Sequence, residues 1–199
     1  MLLKAALKEW AVAVDALAQG ETVVLLRKGG IREHQGRFSA EADRALLFPT
    51  FEHQRPELLK PQYRAAVAPV ATGWHPETIT LKAWADITHI FLTDDENEVA
   101  ALSALHIWQP QLAQERLKWK PKQPLYVLAL RAYLLPEPVV VPWQADYGGC
   151  RSWIEMTAGI EIEGSQPAIA DTAYRQQIAT IEAILTVPSP NVARSPEGR

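Results

Sequence analysis

Glu33 and Glu52 are the residues whose types and spacing first suggest chemistry. The stretches Gln35 to Ala40 and Ala45 to Phe51 resemble the two arms of a hairpin turning at Glu41-Ala42-Asp43-Arg44. A turn centred between Ala42 and Asp43 sets Phe38 against Leu47, Arg32 against His53, and Glu33 against Glu52. Carboxylates so opposed, with Cβ atoms about 4.5–5.5 Å apart, repel unless something cationic lies between them. A divalent metal would serve, as would Arg27, Lys28 or a shared proton. Gln54 shares a face with Glu52 because side chains alternate along a strand. Glu33 and Glu52 are therefore candidate metal ligands and, with Gln54, candidate catalytic residues. In such a site Mg²⁺ would generate a hydroxide and clamp a scissile phosphate. The plainer alternative leaves both acids solvated or paired with Arg32 and Arg37.

Arg27-Lys28-Gly29-Gly30 is a second candidate. Two cations end a strand, and two glycines let backbone N–H groups approach an anion, so a phosphate fits there. No P-loop order and no GxGxxG motif is present, which sets aside the usual nucleotide folds. In the third candidate, Tyr147-Gly148-Gly149-Cys150-Arg151-Ser152-Trp153, Arg151 beside Trp153 makes a surface suited to stacking a base. Arg27, Lys28, Gly29, Gly30, His53, Arg151 and Trp153 are thus the candidate ligand-binding residues. Cys150 is a weaker candidate nucleophile, with His53 or His106 as its base, since a lone cysteine is usually a small buried hydrophobe. The five histidines show no metal-ligand spacing, and His89 and His106 read as core residues. Trp10 and Trp84 lie in patterned elements, whereas Trp74 and Trp143 sit in loops next to proline.

The elements that must position these residues follow from apolar periodicity. Leu3, Leu7, Trp10, Val14 and Leu17 recur at spacings of three and four, which predicts an amphipathic helix from Leu2 to Gln19, closed by Gly20. Thr22 to Arg27 predicts a strand covered on both faces. Pro49 should fall at an edge or mark a bulge. Short helical turns are expected between Arg55 and Val70, then a strand from Thr78 to Leu92 whose alternation is the clearest in the chain. A helix capped near Thr93 runs to Ile107, a second helical piece covers Gln111 to Trp119, and a central strand covers Leu125 to Leu134. The prolines at 136, 138 and 142 impose an extended stretch, Trp153 to Ile162 is strand, and Ala168 to Leu185 is an amphipathic helix. The order predicts an α+β fold: a mostly antiparallel sheet, able to curl like a barrel, with an N-terminal helix, a central helical segment and a C-terminal helix. Residues 1–187 read as one domain and 188–199, rich in Pro, Ser and charge, as a disordered tail.

Composition narrows the classes. The 199 residues are 48% hydrophobic and 22% charged, with a net charge of −3, which excludes wholesale disorder and a rod. The charge also excludes a generic DNA-coating protein, although a local basic patch is compatible with it. One cysteine excludes an intrachain disulfide framework, and no signal peptide or membrane-spanning run is evident, so a reducing cytosol is the expected compartment.

Leu7-Lys8-Glu9-Trp10-Ala11-Val12, Leu25-Leu26-Arg27-Lys28-Gly29-Gly30-Ile31, Phe48-Pro49-Thr50-Phe51-Glu52-His53-Gln54 and Tyr147 to Trp153 resemble segments of a bacterial and cyanobacterial family, the domain of unknown function 1802 family. The resemblance spans roughly residues 5 to 160 and brings little chemistry with it. The Glu33, Glu52 and Gln54 pattern is loosely similar to the PD-(D/E)XK nuclease core, with Glu9 as its helical acid, Gln54 in place of the lysine and no Pro-Asp. The order helix, Gly, strand, Arg is similar at fold level to small RNA-binding barrels of the PUA and ASCH type. The leading expectation is a protein that contacts nucleic acid or another phosphorylated ligand through the Arg27 to Gly30 turn and the Glu52 to Gln54 strand. The alternatives are a Mg²⁺-dependent phosphodiesterase and a non-catalytic scaffold docking through its Trp and Pro segments; whether the chain is an enzyme stays open.

Overall fold

A computed structural model describes residues 1–28, 42–67, 69–70, 75–119 and 124–185, and the backbone alone of 31–34 and 37–40. Strand β1 (Leu2–Trp10) runs directly into helix α1 (Ala11–Ala18), followed by β2 (Val24–Arg27), the hairpin β3 (Ile31–His34) and β4 (Arg37–Ala40), and β5 (Arg44–Thr50). A 3₁₀ turn at Pro56–Leu58 and the one-turn helix α2 (Pro61–Arg64) lead to β6 (Thr78–Thr93). Helix α3 (Glu96–Ala101) continues as a 3₁₀ turn, then come α4 (Pro110–Lys118), β7 (Leu125–Pro142), β8 (Trp153–Glu161), the two-residue β9 (Gln166–Pro167) and α5 (Asp171–Leu185).

The fold is mixed α+β, as the sequence predicts. One sheet in the order β2-β7-β6-β5-β1-β8 carries it, with β9 also paired to β7. All its pairs are antiparallel except β1 with β5. The sheet stays open, so it does not close into a barrel. One face is packed by α1, α3, α4 and α5 around Leu7, Leu17, Leu25, Leu47, Trp108, Leu128 and Ile181. The other face gathers Leu3, Ala6, Phe48, Ile79, Leu81, Trp84, Leu135 and Ile154.

The largest departure from the sequence reading is at the N-terminus, where residues 2–10 form a strand, not the first half of a helix. Spacing of three and four arises here because the register of β1 against β8 shifts between Leu3 and Ala5. At the shift Lys4 alone stands opposite Met156 to Gly159 of β8, and across it Leu3 and Ala6 lie on one face and Leu7 on the other, so the apolar residues of β1 do not simply alternate. As a strand, β1 pairs along both edges, with β5 and with β8, and tertiary pairing of that extent overrides helix propensity. The helix that follows is buried at Val12, Ala13, Val14, Ala16, Leu17 and Ala18, and Gly20 ends it at φ 73°. A Cβ at Gly20 would also lie 2.0 Å from Ile169, so glycine is needed there for both conformation and space.

The hairpin also differs. Strand β3 pairs with β4, with His34 opposite Arg37 and Glu33 opposite Phe38, not Glu52. Strand β5 is not its second arm, because β5 pairs with β1 and β6. The regular alternation of β6 conceals register shifts against β7 after Leu81 and after Ile87; across the first, Ile79 and Leu81 lie on one face and Ala83 and Ala85 on the other. Pro49 behaves as expected: β5 keeps its pairing to β6 only from Arg44 to Leu46, so the missing N–H at Pro49 breaks no bond on that side.

Behind β1 lies an aromatic layer that sets the position of Trp10. Trp10 meets Trp108 edge to face at 5.1 Å, and the Trp108 backbone N–H donates to His106 Nδ1 at 3.2 Å. His106 is 3% exposed, and burial, aided by the nearby Lys60 ammonium, lowers its pKa from 6.5 to about 4.

Two outcomes test this architecture. Leu7→Ala should cost about 2–5 kcal/mol in urea unfolding, whereas Leu2→Ala should stay within about 0.5 kcal/mol; similar losses at both would contradict the strand. Since His106 titrates lower folded than unfolded, its contribution is fully present above pH 6.5 and is lost as pH falls toward about 4. Unfolding free energies across that window should drop by about 3 kcal/mol in the wild type, and by clearly less in His106→Gln.

Candidate functional site

Strands β1 and β5 are parallel, so their C-terminal ends open at the same place, with Trp10 beside Thr50. The segment before β8 extends the ladder on the other side, with the Lys8 N–H donating to the Ser152 carbonyl at 2.8 Å. Between these ends lies a cleft of about 190 Å³ lined by Lys8, Glu9, Arg27, Glu52, His53, Cys150 and Arg151, among others. It joins residues from four stretches of chain.

Lys8 and Glu9 are consecutive, so the strand sends their side chains to opposite faces. Both are 7% exposed. The Lys8 ammonium donates to the carbonyls of Tyr147 at 2.6 Å and Gly149 at 2.9 Å. Burial lowers its pKa, Glu52 opposes that shift, and Arg151 adds to it. Glu9 accepts from Arg27 Nη1 at 3.1 Å and from the Trp10 N–H at 3.0 Å. The same Arg27 nitrogen donates to the Lys8 carbonyl at 3.2 Å. Behind this pair, Arg116 donates to the Leu26 carbonyl and lies 5.3 Å over the Trp108 ring. Burial lowers the Arg116 pKa while Glu9 holds it up. One carboxylate is thus flanked by two guanidinium groups. Thr50 Oγ1 ties the ends of β5 and β1 together through the Glu9 carbonyl at 3.1 Å.

Two backbone features shape the rim. His53 has φ 60°, a sparsely populated region for a residue with a Cβ. Gly149 has φ 78°, and a Cβ added there would meet nothing within 4 Å, so its glycine serves conformation and leaves the rim open. Next to it Cys150 is exposed with a free thiol. Arg151 is exposed, donates to the Asp146 carbonyl at 2.7 Å, and makes no ion pair among the described residues.

Of the residues singled out from the sequence, Arg27, Glu52, His53 and Arg151 meet in this cleft. Gln54 does not line it; its Oε1 accepts from the Val12 N–H at 3.3 Å and caps the first turn of α1. Lys28 is buried outside the cleft, its pKa lowered by burial and supported by Asp94. Gly29 and Gly30 lie outside the described residues, as does Trp74. Glu33 is on β3, away from any pairing with Glu52. Trp153 lies on β8 and lines a neighbouring opening. Trp143 is stacked on His75 at 3.5 Å. Lys8 also lines the cleft, although the helical reading left it off the apolar stripe. Among the described residues no three His, Cys, Asp or Glu side chains converge as metal ligands, and no helix is long and apolar enough to cross a membrane.

The chain belongs to the family described as Domain of unknown function (DUF1802), whose model matches residues 6–180. That span contains every residue of the cleft. No curated protein matches the sequence. Two crystal structures of point mutants of ZmASCH from Zymomonas mobilis are similar to it at 12% identity and a TM-score of 0.42, covering 88% of this chain and 94% and 96% of theirs.

Neutralising Glu9 should expose the cost of its burial. Glu9→Gln leaves Arg27 as a buried, uncompensated charge and should lower the unfolding free energy by about 3 kcal/mol in denaturant titration. A loss below about 1 kcal/mol would mean that the pair behaves as a surface contact.

Proposed function

We propose that this protein binds a phosphorylated ligand, as a small molecule or within a nucleic acid, in the cleft at the end of β1. The observation that carries the reading is that Lys8, Arg27 and Arg151 all line one opening. Glu9 and Glu52 oppose them, so cations outnumber anions by one in the lining before His53 is considered. Lys8 and Arg27 are already fixed by carbonyls and by Glu9, which gives the site a preorganised positive field. Arg151 is held only through a carbonyl among the described residues, so its guanidinium can turn to a phosphate as a bidentate donor. A volume of about 190 Å³ suits one phosphate group and its immediate attachment better than a whole drug-sized ligand.

The basic element differs in composition from the one read in the sequence. Arg27 takes part, Lys28 points elsewhere, and Lys8 and Arg151 supply the other charges. The Mg²⁺-dependent version depended on Glu33 facing Glu52, and the strand register removes that pair. The acids left in the cleft, Glu9 and Glu52, are engaged with Arg27 and set near Lys8 respectively, so the residues present do not fit a two-carboxylate metal site.

Equilibrium titration with phosphorylated small molecules and short oligonucleotides at low and high salt tests this. Affinity should fall as salt rises, and Arg151→Ala should weaken it about tenfold by removing a charge-assisted hydrogen bond. Binding that ignores salt, or that is equal in Arg151→Ala and wild type, would overturn the reading.

A further inference from the structure

Arg151 belongs to two openings. Beyond the cleft at the end of β1 it also lines a larger one, of about 390 Å³, with Lys4, Ala5, Trp153, Ile154 and Glu155. This second volume falls in the range of sites for small organic ligands, about 300–1,000 Å³, whereas the first falls below it.

The lining of the larger opening has a specific order. Trp153 and Glu155 are two apart on β8 and therefore project from one side, facing Leu7 and Ala5 of β1. Arg151 precedes Trp153 by the same interval, so an acid, an indole and a guanidinium follow one another toward the smaller cleft. Trp153 is half-buried and contributes to the lining of the opening. Ala5 and Ile154 supply apolar wall. Lys4 sits at the register shift of β1 and is exposed, as is Glu155. An aromatic group, an apolar wall, two cationic donors (Lys4 and Arg151) and one anionic acceptor match the needs of a flat heteroaromatic ring carrying N–H and C=O groups on its edge.

We infer that the ligand is a nucleotide, its phosphate in the cleft at the end of β1 and its base in the larger opening against Trp153, with Arg151 between them. This rests on the phosphate reading of the smaller cleft and adds the base to it. The nucleotide is free or part of a single strand, because a base in a duplex is stacked away from such an opening.

Calorimetric titration with ribose phosphate, nucleoside monophosphates and a short single-stranded oligonucleotide tests the inference on the full chain. The nucleoside monophosphate should bind about tenfold more tightly than ribose phosphate. That ratio should fall toward one in Trp153→Leu and be largely kept in Trp153→Phe, which retains an aromatic ring and serves if the leucine variant fails to fold. An oligonucleotide tighter than the mononucleotide would identify a strand as the source, and equal affinities a free nucleotide; both support the inference. Equal binding of ribose phosphate and mononucleotide, or a ratio unaffected by Trp153→Leu, would overturn the base site while leaving the phosphate reading intact. No binding of either would overturn both.

Discussion

Lys8 and Glu9 stand side by side on a strand paired along both edges, and both are almost withdrawn from water. An ion in such a place costs several kcal/mol unless its partners are fixed around it. Because neighbouring strand residues face opposite ways, one set of partners cannot serve both. The ammonium takes the carbonyls of the segment before β8, and the carboxylate takes Arg27 from the end of β2, with Arg116 of α4 behind. Three distant stretches of chain are thereby held at one end of β1, and two of them, the segment before β8 and the end of β2, become walls of the cleft. The requirement to satisfy two buried charges and the formation of the site are the same event.

The aromatic layer transmits that constraint into the helical side of the molecule. Trp108 is fully buried between Trp10 and the Arg116 guanidinium, and the His106 imidazole holds its backbone. Thr50 and Gln54 perform a related task from the other direction, one fastening β5 to β1 and the other capping α1 where it leaves β1. The cleft is consequently built on strand ends and on side chains locked by packing. Its rim residues His53, Cys150 and Arg151 are exposed.

Much of the architecture was legible in the sequence because alternation and punctuation carry local information. β2, β8 and α5 lie within a few residues of where apolar pattern and caps put them, β7 begins as expected but stays paired through the proline stretch to Pro142, and Gly20 and Pro49 play their expected parts. Two of the failures came where the register between neighbouring strands shifts. β1 shifts register against β8 at Lys4, which breaks its alternation, and β6 shifts against β7 after Leu81, which changes faces under an unbroken pattern. The hairpin failed for a different reason, since the polar run Glu41 to Arg44 was preferred to Gly36, the residue type that a two-residue hairpin turn favours. Arg27, Glu52, His53 and Arg151 were recognisable by type, yet their common location depends on the parallel pairing of β1 with β5, which spans some forty residues and leaves no periodic trace. Lys8 was left off the apolar stripe by the same error that turned β1 into a helix.

The most direct test of the central claim is diffraction from crystals soaked in tungstate, a heavy tetrahedral stand-in for phosphate. The account predicts anomalous density between Lys8, Arg27 and Arg151, with the Arg151 guanidinium turned from the Asp146 carbonyl onto the anion. Tungstate bound elsewhere while this cleft stays vacant, with Arg151 still on Asp146, would contradict it.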